Sequence, residues 1–219
     1  MIKKQFVVIG LGRFGSTICK ELFLQGHEVL AIDQLPENIH KVSKYASHVV
    51  VADAIDEDAL NSLGLRNFDH AIIAIGEKIQ PSILCTLILK EMGIKKVWVK
   101  AQNEQHEKVL EKIGADRVIH PEKEMGIRIA NQLNSERIID YIELSKEYSI
   151  IELVASNKVS SQTIENLDIR AKYGCTLLAI KNGEDINISP SSKDTIYEGD
   201  ILIVMGQNND LKRFEVQGL

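Results

Sequence analysis

Short runs of consecutive apolar residues alternate with longer stretches in which apolar residues recur every three or four positions. This rhythm fills the first half of the chain. Phe6-Val7-Val8-Ile9 ends on glycines, as a parallel strand buried on both faces does. Phe14, Ile18, Leu22 and Phe23 then fall on one side of a helix that stops near Gly26. Glu28-Val29-Leu30-Ala31-Ile32-Asp33 reads as a second strand with an acid at its end, and Pro36 opens a helix reaching about Tyr45. The unit recurs with strands over residues 48–51, 70–75, 96–99 and 117–119, and helices over 56–63, 80–92 and 103–113. Strands alternating with helices predict an α/β fold, a doubly wound, Rossmann-like parallel sheet.

Pro121 begins a further helix with Met125, Ile129, Ala130 and Leu133 along one stripe. Beyond Ser135 the rhythm changes. Residues 139–144 and 148–153 are close together, and too little chain lies between them for a crossover helix. Later strands are expected over 176–180 and 200–205, with turn signals at Asn182-Gly183 and Glu198-Gly199-Asp200. The expected organisation is a nucleotide-binding domain over residues 1–135, crossover helix included, and a small α+β domain over 136–219. The helix carrying Ile79, Ile83, Leu84, Leu87, Ile88 and Leu89 is apolar around much of its circumference. A buried helix and a subunit interface both fit that pattern.

Composition narrows the class. The chain has 219 residues, 44% of them hydrophobic and 26% charged, enough for well-formed cores and incompatible with wholesale disorder. Lys and Arg total 26 against 31 Asp and Glu, a formal charge of −5. With no long basic block, binding to a nucleic-acid backbone or an anionic lipid surface is not expected. Cys19, Cys85 and Cys175 are too far apart in sequence for a Cys-x-x-Cys zinc knuckle or a disulfide framework. The N-terminus has no signal-peptide pattern, and no apolar run approaches the ~20 residues that span a bilayer. A soluble cytoplasmic protein is expected.

The candidate chemistry sits at Gly10-Leu11-Gly12-Arg13-Phe14-Gly15, directly after the first strand. In such a turn Gly10 permits the tight bend, Gly12 lets backbone approach a pyrophosphate and Gly15 allows helix to pack on strand. The helix N-terminus supplies N–H donors and a favourable dipole for phosphate oxygens. Asp33 follows Gly15 by 18 residues, where a carboxylate accepts hydrogen bonds from ribose hydroxyls. The motif does not separate NAD from ATP. Arg13 is placed to reach a terminal phosphate or a neighbouring subunit's ligand, and equally fits a solvated surface arginine. No tyrosine is followed by lysine four residues later, and the six histidines show no metal-ligand spacing. An NAD(H)-dependent oxidoreductase, the alternative reading, therefore lacks visible hydride-transfer apparatus.

Val8-Ile9-Gly10-Leu11-Gly12-Arg13-Phe14-Gly15, Asp33, Val99-Lys100-Ala101 and the stretch Ile113-Gly114-Ala115-Asp116-Arg117-Val118-Ile119-His120-Pro121-Glu122 carry a family resemblance. It continues through Arg170-Ala171-Lys172-Tyr173-Gly174-Cys175 and Gly199-Asp200. The whole chain resembles the Ktr-type cytosolic regulators of bacterial potassium uptake, closest to those of Gram-positive bacteria. That resemblance implies a nucleotide-binding RCK N-domain and a smaller RCK C-domain. It also implies a non-enzymatic regulatory subunit whose homodimers assemble into an octameric ring. The ring would dock on a membrane potassium-transporter subunit at the inner face of the membrane, gated by ATP versus ADP.

Carried over residue by residue, Gly10, Gly12, Phe14 and Gly15 would form the phosphate turn, Asp33 would hold the ribose, and Asp53 and Ala54 would lie beside the adenine. Arg13 would meet the terminal phosphate of ATP. Glu122 resembles an acid that helps hold a divalent cation at the dimer interface, and it also suits the first turn of a helix on dipole grounds alone. The resemblance further implies cyclic di-AMP binding by the C-terminal domain through residues 164–176. The candidates there are Ile164, Asp168, Ile169, Arg170, Ala171, Lys172 and Thr176, with Pro190 helping to close the pocket. Arg170 has the planar fork that pairs with phosphate, and Ile164 and Ile169 could flank adenine faces. An ion-pair role for Arg170 and a core role for the isoleucines remain open.

Overall fold

A computed structural model describes residues 3–133 and 137–219. The chain divides into two compact units, Met1–Pro121 and Glu122–Leu219. The domain boundary expected between residues 135 and 136 lies outside the described residues.

In the first unit the elements run β1 (Gln5–Ile9), α1 (Arg13–Leu24), β2 (Glu28–Asp33), α2 (Pro36–Val42), β3 (His48–Val51), α3 (Glu57–Ser62), β4 (His70–Ile73), α4 (Ile79–Glu91), β5 (Val97–Lys100), α5 (Glu104–Lys112) and β6 (Arg117–Ile119). The six strands form one parallel sheet in the order β3-β2-β1-β4-β5-β6. The order reverses between β1 and β4, the switch point at which open α/β sheets leave a crevice. β1 and β2 are buried along almost their whole length, because helices cover both faces. Phe6, Val8, Val29 and Ala31 pack with Cys19 of α1 and Ile39 of α2 on one face. Val7, Ile9, Ile73, Val97 and Val99 pack with Leu60, Cys85, Leu89 and Leu110 of α3, α4 and α5 on the other.

Two expectations are refined. The helix opened by Pro36 stops being α-helical at Val42 and tightens into a 3₁₀ turn, Ser43–Tyr45. The fourth strand ends at Ile73, so Ala74, Ile75 and Gly76 form a loop at its carboxyl end. In α4 the residues turned inward are Ser82, Cys85, Thr86 and Leu89, at helical spacing. Thr86 satisfies its buried hydroxyl by donating to the Ser82 carbonyl at 2.7 Å. Leu84 and Leu87 lie on the outer side, 37% and 38% exposed. The helix is thus a sheet-packed helix with an apolar outer face.

The second unit contains α6 (Pro121–Leu133, apart from its first residue), β7 (Ile138–Glu143), β8 (Tyr148–Val154), β9 (Gln162–Thr163), α7 (Ile164–Leu167), α8 (Ile169–Tyr173), β10 (Thr176–Asn182), β11 (Asp185–Asn187), β12 (Thr195–Ile196), β13 (Ile201–Gln207) and α9 (Asn208–Arg213). Five strands pair antiparallel in the order β11-β10-β13-β8-β7, and β9 pairs with β12 separately. β8 and β13 alternate buried and half-buried residues, the signature of a sheet with one face on the core. Ile151, Leu153, Leu202 and Val204 supply that face and meet Leu167, Ile169, Leu211 and Phe214. Gly183 and Gly199, the expected turn glycines, have φ of 57° and 86°, a region that costs an ordinary side chain. α6 is joined to β7 by Arg128, whose Nε donates to Asp140 Oδ1 at 2.9 Å and whose Nη2 donates to Oδ2.

Candidate functional site

The glycine turn links the carboxyl end of β1 to α1, and its three glycines differ in what they face. Gly10 has φ +88°, and a Cβ there would stand 3.0 Å from the Ala74 carbonyl. At Gly15 a Cβ would stand 1.9 Å from the Gly10 carbonyl oxygen. Both positions are closed by the protein itself. Gly12, the N-cap of α1, has an ordinary φ of −64°, and a Cβ there would meet nothing within 4 Å. No side chain caps this helix and no acid lies in its first turn. Its leading amides and the positive end of its dipole therefore suit an anion.

Asp33 lies at the end of β2 beside this turn and is only 8% exposed. Its Oδ2 accepts the Leu11 N–H at 2.6 Å and the Asn38 side-chain N–H at 3.2 Å, while Oδ1 accepts the Leu35 N–H at 2.8 Å. The carboxylate thus ties the glycine turn to the entry of α2. A carboxylate offers about four acceptor positions, so one remains on Oδ1. Leu11 N–H, Leu35 and Asn38 were not among the expected site residues. Backbone donors leave no mark in sequence, and nothing in residue type marked Asn38.

Asp53 and Ala54 follow β3 at the same sheet edge, where the Ala52 N–H donates to the Asp33 carbonyl at 3.1 Å. Asp53 is exposed and its Oδ1 accepts the Ile55 N–H at 3.2 Å; Ala54 is half-buried against the core. Arg13 is exposed at the first position of α1, and Phe14 is half-buried. The Lys100 ammonium lies 5.8 Å from the Phe14 ring centroid. The fold thus brings Gly10, Gly12, Arg13, Phe14, Gly15, Asp33, Asp53 and Ala54 to one edge of one sheet.

The C-terminal candidates occupy α7, α8 and the start of β10. Thr163 caps α7 by accepting the Asn166 N–H at 3.3 Å. Asp168 joins the two short helices with φ 44°, a left-handed position that aspartate tolerates better than most residues. Arg170, Ala171 and Lys172 are exposed, Ile164 and Thr176 are half-buried, and Ile169 is 3% exposed within the core of its unit. The Ile164 and Glu165 N–H groups donate to the Asp194 and Ser192 carbonyls at 3.0 and 2.9 Å, which lays the segment after Pro190 beside α7. Glu122 is exposed in the first turn of α6, with Glu124 close in sequence. Among the described residues no cluster of three or more His, Cys, Asp or Glu is placed to hold a metal ion.

The cysteines are not poised for nucleophilic chemistry. All three are buried. Burial pushes the Cys19 and Cys175 thiols up to about 11 and Cys85 higher still, so none is a thiolate at neutral pH. Among the described residues no helix is long and apolar enough to cross a membrane.

These features define a two-unit protein: a Rossmann-type sheet with an anion-suited glycine turn, followed by an antiparallel α+β unit. The TrkA-N domain family matches residues 6–121, and the TrkA-C domain family matches residues 148–216. The chain is 57% identical to Ktr system potassium uptake protein A of Bacillus subtilis (strain 168) over 99% of its length and 97% of that protein's. It is 53% identical to Ktr system potassium uptake protein C of the same organism, over 98% of this chain and 97% of that one. The chain belongs to the TrkA-N/TrkA-C family of Ktr potassium uptake proteins. Among solved structures, the GsuK channel bound to NAD is similar in fold, with a TM-score of 0.67 at 15% identity, over 98% of this chain. This chain spans only 40% of the GsuK chain.

Proposed function

We propose that the chain is a non-enzymatic, ligand-gated regulatory subunit of a Ktr-type potassium uptake system, with ATP and ADP competing for the glycine turn. The observation that carries this reading is the unequal use of the three glycines. Gly10 and Gly15 are needed for close packing within the chain, whereas Gly12, the uncapped N-cap of α1, is exposed and a Cβ there would meet nothing. A turn that served packing alone would have no reason to keep a bare backbone at Gly12. The whole-length similarity to potassium uptake proteins supports the assignment of output.

In this reading the turn and Phe14 hold the phosphates, and the remaining acceptor position of Asp33 takes a ribose hydroxyl. Asp53 and Ala54 border the adenine, and Arg13 meets the terminal phosphate of ATP, from its own chain or a neighbour's. Glu122 contributes to a divalent-cation site at a dimer interface. The second domain, residues 136–219 following a first domain of 1–135, binds cyclic di-AMP. There Arg170 and Lys172 offer exposed cations, Ile164, Asp168, Ala171, Thr176 and Pro190 border them, and Ile169 anchors the segment to the core. Homodimers build an octameric ring that sits against the cytoplasmic face of a membrane transporter.

Calorimetric titration of ATP, ADP, NADH and cyclic di-AMP against the full chain tests ligand choice. Potassium flux into vesicles containing a Ktr membrane subunit, with and without the chain, tests output. Binding of ATP and ADP with different effects on flux is expected. Binding of NADH alone, together with its oxidation by a small substrate, would overturn the reading in favour of an oxidoreductase.

A further inference from the structure

Asp33 ends β2, and donors reach its carboxylate from the elements on either side. Two of them are backbone groups fixed by the fold. Leu11 N–H belongs to the glycine turn, which is closed against Ala74 at Gly10, and Leu35 N–H belongs to the N-cap position of α2. The other is the side chain of Asn38, half-buried in the first turn of α2. The backbone N–H of Asn38 already donates to the Leu35 carbonyl at 3.1 Å. Its side chain does not cap the helix and turns back to Asp33, five residues earlier. An ionised carboxylate only accepts, so the amide must present its NH₂ edge.

These donors are unevenly shared. Oδ2 accepts Leu11 N–H at 2.6 Å and the Asn38 amide at 3.2 Å, whereas Oδ1 accepts Leu35 N–H at 2.8 Å. With about two acceptor positions on each oxygen, Oδ2 is filled and Oδ1 is half filled. A ribose carries two neighbouring hydroxyls, and a carboxylate with both oxygens open can take one on each. Here a single hydroxyl finds an open position. The second can bond Oδ2 only by displacing the Asn38 amide. That exchanges one hydrogen bond to the same oxygen for another, with almost no net gain. Leu11 cannot yield in its place without opening the turn.

We propose that Asn38 is a positioning residue of the nucleotide site: its amide fills Oδ2 and makes Asp33 read one ribose hydroxyl instead of two. This rests on the reading of the glycine turn as an adenine-nucleotide site. The consequence is opposite to the usual effect of deleting a polar side chain beside a ligand. Removing Asn38 empties an acceptor position on a buried carboxylate, so the second hydroxyl gains a bond and ATP binds more tightly. A purely structural Asn38, steadying α2, would give weaker binding and no change in which hydroxyls count.

The test titrates ATP, 2′-deoxy-ATP and 3′-deoxy-ATP into the full chain and its Asn38→Ala and Asn38→Leu variants by calorimetry, with thermal unfolding to verify folding. In wild type, loss of the hydroxyl that Asp33 reads should weaken binding about ten- to a hundred-fold, and loss of the other by less than about threefold. In the variants that tolerated analogue should fall at least about tenfold below ATP as well. If Asn38→Ala does not fold, Asn38→Leu carries the same comparison. Equal losses with the two analogues in wild type, or the wild-type pattern of losses retained in the variants, overturns the proposal while leaving the nucleotide site standing. Wild-type chain that binds none of these nucleotides overturns the site and the proposal together.

Discussion

Replacing Asp33 with Ala tests two roles of one carboxylate. In the free protein it accepts three hydrogen bonds, from Leu11, Leu35 and Asn38. The bond to Leu11 N–H is buried, so its loss leaves a donor without an acceptor, at a cost of about 1–3 kcal/mol. Leu35 N–H is only partly buried, and water can replace its partner, so the total destabilisation should be about 2–4 kcal/mol. At roughly 2–4 °C per kcal/mol for a chain of this size, Tm should fall by on the order of 10 °C. In the proposed nucleotide site the remaining acceptor position would take one ribose hydroxyl, about 1.5–3 kcal/mol if charge-assisted, so on that reading ATP and ADP should both weaken about ten- to a hundred-fold. Calorimetric unfolding and nucleotide titration at a temperature where the variant is folded separate the two effects. A lowered Tm with unchanged affinity for both nucleotides would remove the ribose role. Lost affinity at an unchanged Tm would mean that the carboxylate does not brace the turn.

Gly15→Ala would place a methyl 1.9 Å from the Gly10 carbonyl oxygen and should destabilise by at least about 1–3 kcal/mol. Gly12→Ala meets nothing in the chain and should leave the urea midpoint nearly unchanged while weakening ATP and ADP. Equal destabilisation by both variants would refute this division of roles. Arg170→Ala should weaken cyclic di-AMP at least about tenfold through loss of a bidentate phosphate contact, with ATP affinity intact; unaltered dinucleotide binding in the same titration would remove Arg170 from the site. The hydrogen bonds from Arg128, with the Tyr141 N–H adding to them against the effect of burial, hold the Asp140 carboxyl below the usual aspartate range. A lowered folded-state value stabilises above the ordinary aspartate pKa of about 3.9, and the contribution is lost as pH falls through the folded value. The Tm gap between wild type and Arg128→Ala should therefore be flat from pH 7 to about 5 and close in stronger acid; a gap that widens in acid would contradict the sign.

The parallel strands were legible because burial on both faces leaves continuous apolar runs. Glu28-Val29-Leu30-Ala31-Ile32-Asp33 reads as a strand of those residues and is one. The glycine turn was legible because the residue that tolerates a positive φ at position 10 and contact at position 15 is visible as a letter. Other features carry no periodic signal. β9 and β12 span two residues each and β11 three, too short for alternation to register, and their pairing depends on partners distant in sequence. α4 is apolar on most sides, and its inward face, containing Ser82 and Thr86, emerged only when the helix was laid on the sheet. Sequence alone placed Asp33 near the turn by strand and spacing. It did not reveal that Leu11, Leu35 and Asn38 already occupy most of that carboxylate. Nor did it bring Lys100 to Phe14 across residues far apart in the chain. Local patterns determine which segments become strands, helices and turns, because those choices depend on neighbours in sequence. Which charged group faces which depends on strand order and register, and tertiary packing alone decides those.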